Sequence, residues 1–132
     1  MDYKKSLEEI EKALDELKEE NLSIPIIVEG EKDIEALKKI GLNGTIVSLN
    51  AGISIIDFCD RIARIYNEVI ILTDWDRKGG YLCHTIVKNL KGRVICNTTY
   101  REKLSKNSVT KTLEGIPSWI NTLKERINKN YE

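Results

Sequence analysis

The sequence predicts an α/β protein with a parallel sheet, and three observations support this fold class. Short apolar runs rich in β-branched residues, at 24–28 and 69–72, are typical of strands that are covered on both faces. Segments with apolar residues at three- and four-residue spacing, typical of amphipathic helices, alternate with these runs. Acidic residues follow directly after both strands, at the edge where open α/β sheets bind ligands. The 132 residues suffice for one three-layer domain.

The first half of the chain alternates helices and strands. A helix is predicted over 3–20, outside the α/β core, where it would cap the sheet or pair with a partner. The strand 24–28 tolerates Pro25 because the proline lies near the start of the strand. The next helix, 31–40, ends at Gly41. The remaining predicted elements of this half are the strand 45–49, its exit loop 50–52 and the helix 53–65.

The second half repeats the alternation and adds a closing helix. Gly79 and Gly80 open a helix that runs through Leu90 and is closed by Lys91 and Gly92. The further predicted elements are the strand 93–96, a polar segment 97–103, a basic loop or short helix 103–111 and a helix that starts at Ile116 and Pro117.

Three carboxylates are expected at one edge of this sheet. Asp74 and Asp76 follow the strand 69–72, and Glu29 follows the strand 24–28, where Gly30 allows a sharp turn into the next helix. If the two strands are neighbours, Glu29 faces both aspartates across a topological switch point. Carboxylates held this close repel each other unless a cation lies between them, and Mg²⁺ is the usual cation.

These residues resemble the Toprim family. The similarity rests on Val28-Glu29-Gly30 with Asp33 three residues further on, and on the strand that ends in the segment 73–79. Toprim domains occur in type IA and type II topoisomerases, bacterial-type primases, ribosomal-RNA maturases, overcoming-lysogenization-type nucleases and recombination mediators. The resemblance covers about 24–96. It implies a three-layer, Rossmann-like fold with a four-stranded parallel sheet and helices on both faces, here with extra N- and C-terminal helices.

The resemblance also implies roles for the acidic residues. Glu29 would act as general acid or base and would also be a metal ligand, while Asp74 and Asp76 would bind Mg²⁺, for which Mn²⁺ could substitute. Asp33, which matches the family pattern, and Glu31 would lie behind these ligands or serve as alternative ones.

Cationic and aromatic residues near the same edge are candidates for contacts with nucleic acid. Arg77 and Lys78 stand at a helix start that attracts phosphate, although they could also only neutralise nearby acids. Tyr100 could stack on a base beside Arg101, and the loop with Asn50 could meet a phosphate or form a plain turn. We expect Trp75 to pack in the core or at an interface. The full candidate set is Lys32, Asn50, Arg77, Lys78, Tyr100 and Arg101.

Charge is balanced overall but unevenly distributed. The formal net charge is zero, yet residues 1–23 carry four Lys against eight Asp or Glu, and residues 88–132 carry ten Lys or Arg against four Glu. The neutral total argues against a general nucleic-acid coat protein. A cationic end beside an acidic metal site suits a phosphodiester substrate, although the clustering is also compatible with an ordinary solvated surface.

The composition also bears on compartment. No run approaches the roughly 20 apolar residues that a membrane helix needs, and the acidic N-terminus does not resemble a signal peptide, so we expect a cytoplasmic protein without a membrane partner. Cys59, Cys83 and Cys96 lack metal-ligand spacing and are expected to be reduced residues of the core. The only histidine, His84, is expected to be structural.

The expected organisation is an N-terminal helix (1–23), a Toprim core (24–96) and a basic extension (97–132), without room for the additional modules of a primase, a topoisomerase or an ATPase-linked nuclease.

Three functions remain open. The first function is a Mg²⁺-dependent nuclease, with RNA favoured over DNA by analogy to the small maturases. The second is a nucleic-acid-binding module, dimeric through its terminal helices, that cleaves little. The third is small-molecule phosphotransfer with Asp74 as nucleophile, for which the partner lysine and acidic motif are not visible.

Overall fold

The chain forms a four-stranded parallel sheet. The computed structural model describes residues 1–49 and 52–130, with the backbone alone at residue 130. The strands are β1 (Ile26–Val28), β2 (Ile46–Ser48), β3 (Glu68–Ile71) and β4 (Ile95–Asn97), in the spatial order β2-β1-β3-β4. Every neighbouring pair is parallel. Because β1 pairs with both β2 and β3, the strand order reverses at β1, and the switch point lies between β1 and β3.

In the part of the chain that the structure describes, six helices cover the two faces of the sheet. They are α1 (Tyr3–Asn21), α2 (Glu31–Lys39), α3 (Ile55–Ile65), α4 (Arg77–Leu90), α5 (Thr99–Lys106) and α6 (Ile116–Asn130). Successive side chains of a strand point to opposite faces. Accordingly, Ile26 and Val28 pack with the buried residues of α1, α2, α5 and α6, while Ile27 packs with those of α3 and α4. The predicted three-layer α/β fold is therefore confirmed.

The N-terminal helix is fixed to the sheet at its C-terminal end. Asn21, which is only 2% exposed, donates from its side-chain amide to Ile24 O (2.9 Å) and Thr45 O (3.0 Å). Its side-chain oxygen accepts from Gly44 N at 3.0 Å. A Cβ at Gly44 would overlap Asn21, so the close approach requires glycine here. The contacts join the end of α1 to the starts of β1 and β2.

Most element boundaries differ from the prediction by one or two residues, and the second half of the chain shows the causes most clearly. The helix α4 begins at Arg77 instead of Gly79, because the Asp76 side chain accepts from Gly79 N and caps the helix. The strand β4 begins at Ile95 instead of Arg93, because Arg93 N and Val94 N donate to Leu90 O and prolong the last turn of α4. The predicted polar segment 97–103 lies mostly within α5.

Two observations concern the expectations from composition. Cys59, Cys83 and Cys96 are free thiols, and the first two are buried. Among the helices that the structure describes, none combines the length and apolar character required to cross a bilayer.

Candidate metal centre

The tips of β1 and β3 are joined by a hydrogen bond between predicted site residues. The ladder between these strands continues past β3 to Leu72, whose N–H donates to Ile27 O at 2.8 Å. Beyond it, Asp74 N donates to Glu29 Oε2 at 2.7 Å. The residue that follows β1 and the first aspartate that follows β3 therefore meet at the switch point.

Three carboxylates converge at this point. One oxygen from each of Glu29, Asp74 and Asp76 can be chosen so that all three lie within 4.8 Å of one another. All three residues are partly buried. Carboxylate oxygens are the ligands that Mg²⁺ prefers in proteins, so this donor set fits a hard divalent cation. Among the described residues, the group that meets this distance consists of these three and does not include Asp33 or Glu31.

Each carboxylate of the cluster is oriented by a backbone amide. Glu29 accepts from Asp74 N, Asp74 Oδ1 accepts from Leu113 N at 2.8 Å, and Asp76 Oδ1 accepts from Gly79 N at 2.7 Å. An ionised carboxylate has about four lone-pair sites, so one amide bond leaves capacity for a cation. The backbone therefore fixes the side chains without saturating them.

The surroundings favour neutralisation of these carboxylates. Burial raises the pKa of Glu29, and the nearby charges of Asp74, Asp76 and Asp33 raise it further, against the lowering effect of the hydrogen bond from Asp74 N. Burial also raises the pKa of Asp74, with the charge of Asp76 acting in the same direction and the bond from Leu113 N opposing it. Such a cluster is stabilised by uptake of a proton or a cation.

The two predicted supporting acids have different positions. Asp33 is 8% exposed, and its Oδ2 accepts from Gly30 N at 3.1 Å, so it satisfies the backbone amide of the N-cap residue at the start of α2. It thus braces the turn that carries Glu29. Glu31, in the first turn of the same helix, is exposed.

A further acid near the cluster was missed by the sequence reasoning. Besides burial, the charge of Glu114 raises the pKa of both Asp33 and Asp74. Glu114 is exposed and lies in the connection between α5 and α6. No motif marks it in the sequence, since only the return of the chain to the β3 edge brings it near the cluster.

Candidate cations flank the carboxylates. Lys32 lies in the first turn of α2, two residues after Gly30, and Arg77 and Lys78 open α4 directly after Asp76. All three cationic side chains are exposed, beside two helix N-termini that favour anions. Their contact with nucleic acid stays a prediction. The candidate Asn50 lies outside the described residues.

Tyr100 and Arg101 are directed at the protein itself. The Tyr100 side chain is only 4% exposed and belongs to the core, so no ring face is open for a stacked base. Burial, together with the hydrogen bond and charge of Glu20, raises the pKa of Tyr100 to about 12. The Arg101 guanidinium donates to the carbonyls of Thr73 and Asp74. Trp75 packs against the same core and donates from Nε1 to Thr110 O at 2.7 Å, in line with its predicted packing role.

The fold and the site together define a class of protein: an open parallel α/β sheet with a carboxylate cluster at its switch point that can hold a divalent metal. The chain belongs to the Toprim family, whose domain model matches residues 24–107. Toprim domains bind divalent metals, and the family is associated with metal-dependent functions on nucleic acid. The match extends beyond β4 and includes α5.

The chain is also similar to individual proteins. A UPF0292 protein of Thermoplasma volcanium is 41% identical over 99 residues, which cover 74% of this chain and 83% of the relative. A UPF0292 protein of Methanocaldococcus jannaschii is 36% identical over 118 residues, covering 86% and 91% of the two chains. The solved structure of a protein from Aquifex aeolicus has a TM-score of 0.68 at 24% identity and covers 79% of this chain and 94% of that one, which shows the shared fold.

The raised carboxyl pKa values predict a pH-dependent response to magnesium. In the folded state, the pKa values of Glu29, Asp33 and Asp74 lie above their ordinary values of 4.5, 3.8 and 3.8. Their protonation therefore stabilises the metal-free fold at low pH, and this stabilisation is lost as pH rises through the raised pKa values. We therefore expect Mg²⁺ to raise the melting temperature much more at pH 7 than at pH 4. At pH 7 the free energy of unfolding should rise by about 2.7 kcal/mol when the Mg²⁺ concentration reaches 100 times its Kd.

This response can be measured by thermal unfolding with EDTA or Mg²⁺ at each pH. The variant Asp74→Asn should show a smaller magnesium effect at pH 7, whereas Asp57→Asn, an exposed residue in the first turn of α3, should behave as the wild type. Equal magnesium effects at both pH values would contradict the assignment of the cation to these carboxylates.

Proposed function

We propose that this protein is a Mg²⁺-dependent phosphodiesterase that cleaves RNA. The observation that carries the proposal is the convergence of Glu29, Asp74 and Asp76 within 4.8 Å between two helix N-termini. Membership of a family with metal-dependent functions on nucleic acid supports the same substrate class. RNA is favoured over DNA because the chain resembles the small ribosomal-RNA maturases.

The residues divide the chemistry between them. Asp74 and Asp76 would hold Mg²⁺, with Glu29 facing it. When bound, the ion supplies Lewis acidity that polarises a phosphodiester and stabilises charge on the leaving oxygen. Glu29 moves a proton, either from the attacking water or to the leaving oxygen, because its carboxylate lies beside the metal ligands and is held by Asp74 N. Lys32, Arg77 and Lys78 attract the backbone phosphates towards these groups.

One observation favours a second candidate, a module that binds nucleic acid but does not cleave it. Glu29 Oε2 accepts the short bond from Asp74 N at 2.7 Å. A carboxylate that already fixes the turn through this hydrogen bond can have a structural role alone, without transferring a proton. This module would keep the metal and the cationic rim, and it could act as a homodimer through its terminal helices.

The two candidates are separated by an assay that records cleavage and retention together. Structured and single-stranded RNA and DNA of matched sequence are incubated with the protein in Mg²⁺, in Mn²⁺ or in EDTA. For the phosphodiesterase, RNA products should form with either metal, vanish in EDTA and fall about 100-fold or more in Asp74→Asn and Asp76→Asn, since each 1.36 kcal/mol of lost transition-state stabilisation is tenfold in rate.

The control variant and the other outcomes are equally definite. Asp57→Asn should cleave at the wild-type rate. Retention of nucleic acid with a steep salt dependence, but without products, would select the binding module. A protein that neither retains nor cleaves any member of the panel would exclude both candidates.

A further inference from the structure

The turn that carries the two aspartates begins where the ladder between β1 and β3 ends, after Leu72. It runs from Thr73 to Asp76, before α4, and contains no regular secondary structure. Backbone polar groups that are removed from water need hydrogen-bond partners. In this turn the partners come mainly from Arg101 and from the connection between α5 and α6.

Arg101, in α5, binds the backbone of the turn with its guanidinium. Nε donates to Thr73 O at 3.0 Å and to Asp74 O at 3.3 Å, and Nη2 donates to Asp74 O at 2.8 Å. The planar guanidinium can direct several donors at once, which an ammonium group cannot reproduce in the same geometry. Arg101 therefore fixes the two carbonyls at the point where the chain leaves β3.

The segment 110–113, between α5 and α6, binds the other side of the turn. Trp75 N donates to Lys111 O at 3.0 Å, and Trp75 Nε1 donates to Thr110 O at 2.7 Å. Leu113 N donates to Asp74 Oδ1 at 2.8 Å, so the segment also touches a candidate metal ligand directly. Leu113 is fully buried, which anchors the segment in the core.

We infer that Arg101 and the segment 110–113 are positioning elements of the metal centre. Three carboxylates within 4.8 Å repel one another, and a turn without other restraints would relax by moving Asp74 and Asp76 away from Glu29. The hydrogen bonds from Arg101 and from 110–113 oppose this movement before the cation arrives. Preorganisation of this kind strengthens ligand binding because less order has to be created on binding.

This inference rests on the proposed function only through its metal site, so its test uses Mn²⁺ alone, without nucleic acid. The variant Trp75→Phe removes the indole donor and keeps an aromatic ring. It should raise the Mn²⁺ Kd about 2- to 10-fold, the range expected for one hydrogen bond. Arg101→Met removes three bonds and should raise the Kd about 10- to 100-fold, as is typical of residues that orient metal ligands. Isothermal titration of the folded variants measures both effects.

Matched controls separate positioning from general stability. Trp119→Phe removes an indole donor that binds Asn107 O at 2.9 Å, outside the segment 110–113. Arg93→Met removes a guanidinium that binds Asp60, and Arg93 lies beyond the C-terminal end of α4, away from the turn. Both should bind Mn²⁺ as the wild type does, even if they unfold at a lower temperature. Arg101→Lys keeps the positive charge but loses the planar guanidinium, so its Mn²⁺ Kd should stay above that of the wild type.

The outcomes distinguish this inference from the proposed function. If Trp75→Phe and Arg101→Met are folded and bind Mn²⁺ as tightly as the wild type, the positioning role is wrong while the metal site stands. If the wild type itself binds no Mn²⁺, both are wrong. Should Arg101→Met fail to fold, the Kd of Trp75→Phe decides alone.

Discussion

Replacing Glu29 by glutamine is expected to slow RNA cleavage by about 10²- to 10⁴-fold, the usual contribution of a general acid or base. Glutamine retains a side-chain oxygen that can accept from Asp74 N, so the joined tips of β1 and β3 should persist. What the variant loses is the ability to exchange a proton with the reacting oxygen. Single-turnover rates at saturating Mg²⁺ measure the effect without interference from product release.

The interpretation needs a matched variant and a separate measure of metal binding. Glu35→Gln makes the same chemical change at an exposed position within α2, and should leave the cleavage rate unchanged. The Mn²⁺ Kd of Glu29→Gln shows how much of the loss comes from weaker metal binding. Wild-type cleavage by Glu29→Gln would remove Glu29 from proton transfer and leave it with a structural role.

Replacing Gly79 by alanine is expected to damage both stability and metal binding. A Cβ at this position would overlap the backbone carbonyl of Asp74, which cannot move aside as a flexible side chain could. Gly79 also donates from its N–H to Asp76 Oδ1 and accepts from Thr73 Oγ1 at 2.8 Å. The start of α4 must therefore separate from the turn. We expect this to lower the free energy of unfolding by about 1–3 kcal/mol. The Mn²⁺ Kd should rise because the carboxylates lose their arrangement.

The adjacent glycine provides the comparison. A Cβ at Gly80 would lie 3.7 Å from Arg101 Nη2, an ordinary contact. Alanine also restricts the unfolded chain, so Gly80→Ala should be neutral or more stable by up to about 1 kcal/mol. Urea unfolding and Mn²⁺ titration of the two variants test this difference. Similar behaviour of both would show that the close approach of Asp74 to α4 does not control the site.

Much of the fold could be predicted because its signals are local. Apolar runs at β1 and β3 indicated strands covered on both faces, and the structure divides their side chains between the two helical layers. The boundary errors at α4 and β4 have a local cause as well. Side-chain capping by Asp76 and a continued helical turn at Arg93 shift the ends of elements without changing their apolar pattern.

The candidate site was predictable to the extent that it lies at strand ends. Glu29, Asp74 and Asp76 could be named from their positions, since the carboxyl edge of a parallel sheet gathers such residues. Tyr100 was expected to stack on a base, and the structure buries it in the core. The Arg101 guanidinium binds the carbonyls of Thr73 and Asp74, and its contact with nucleic acid stays a prediction. The identity of a polar or aromatic residue does not reveal whether its side chain contacts the protein itself or a ligand.

The sequence by itself determined which segments become strands and helices, and it placed acids at the tips of two strands. Only the tertiary structure decided that β1 lies beside β3, so that these acids meet, and that Arg101 and Leu113 hold Asp74 from 27 and 39 residues away. The physical reason is that periodicity and capping depend on neighbouring residues, whereas hydrogen bonds between distant segments form only once the packing of whole helices has set their positions.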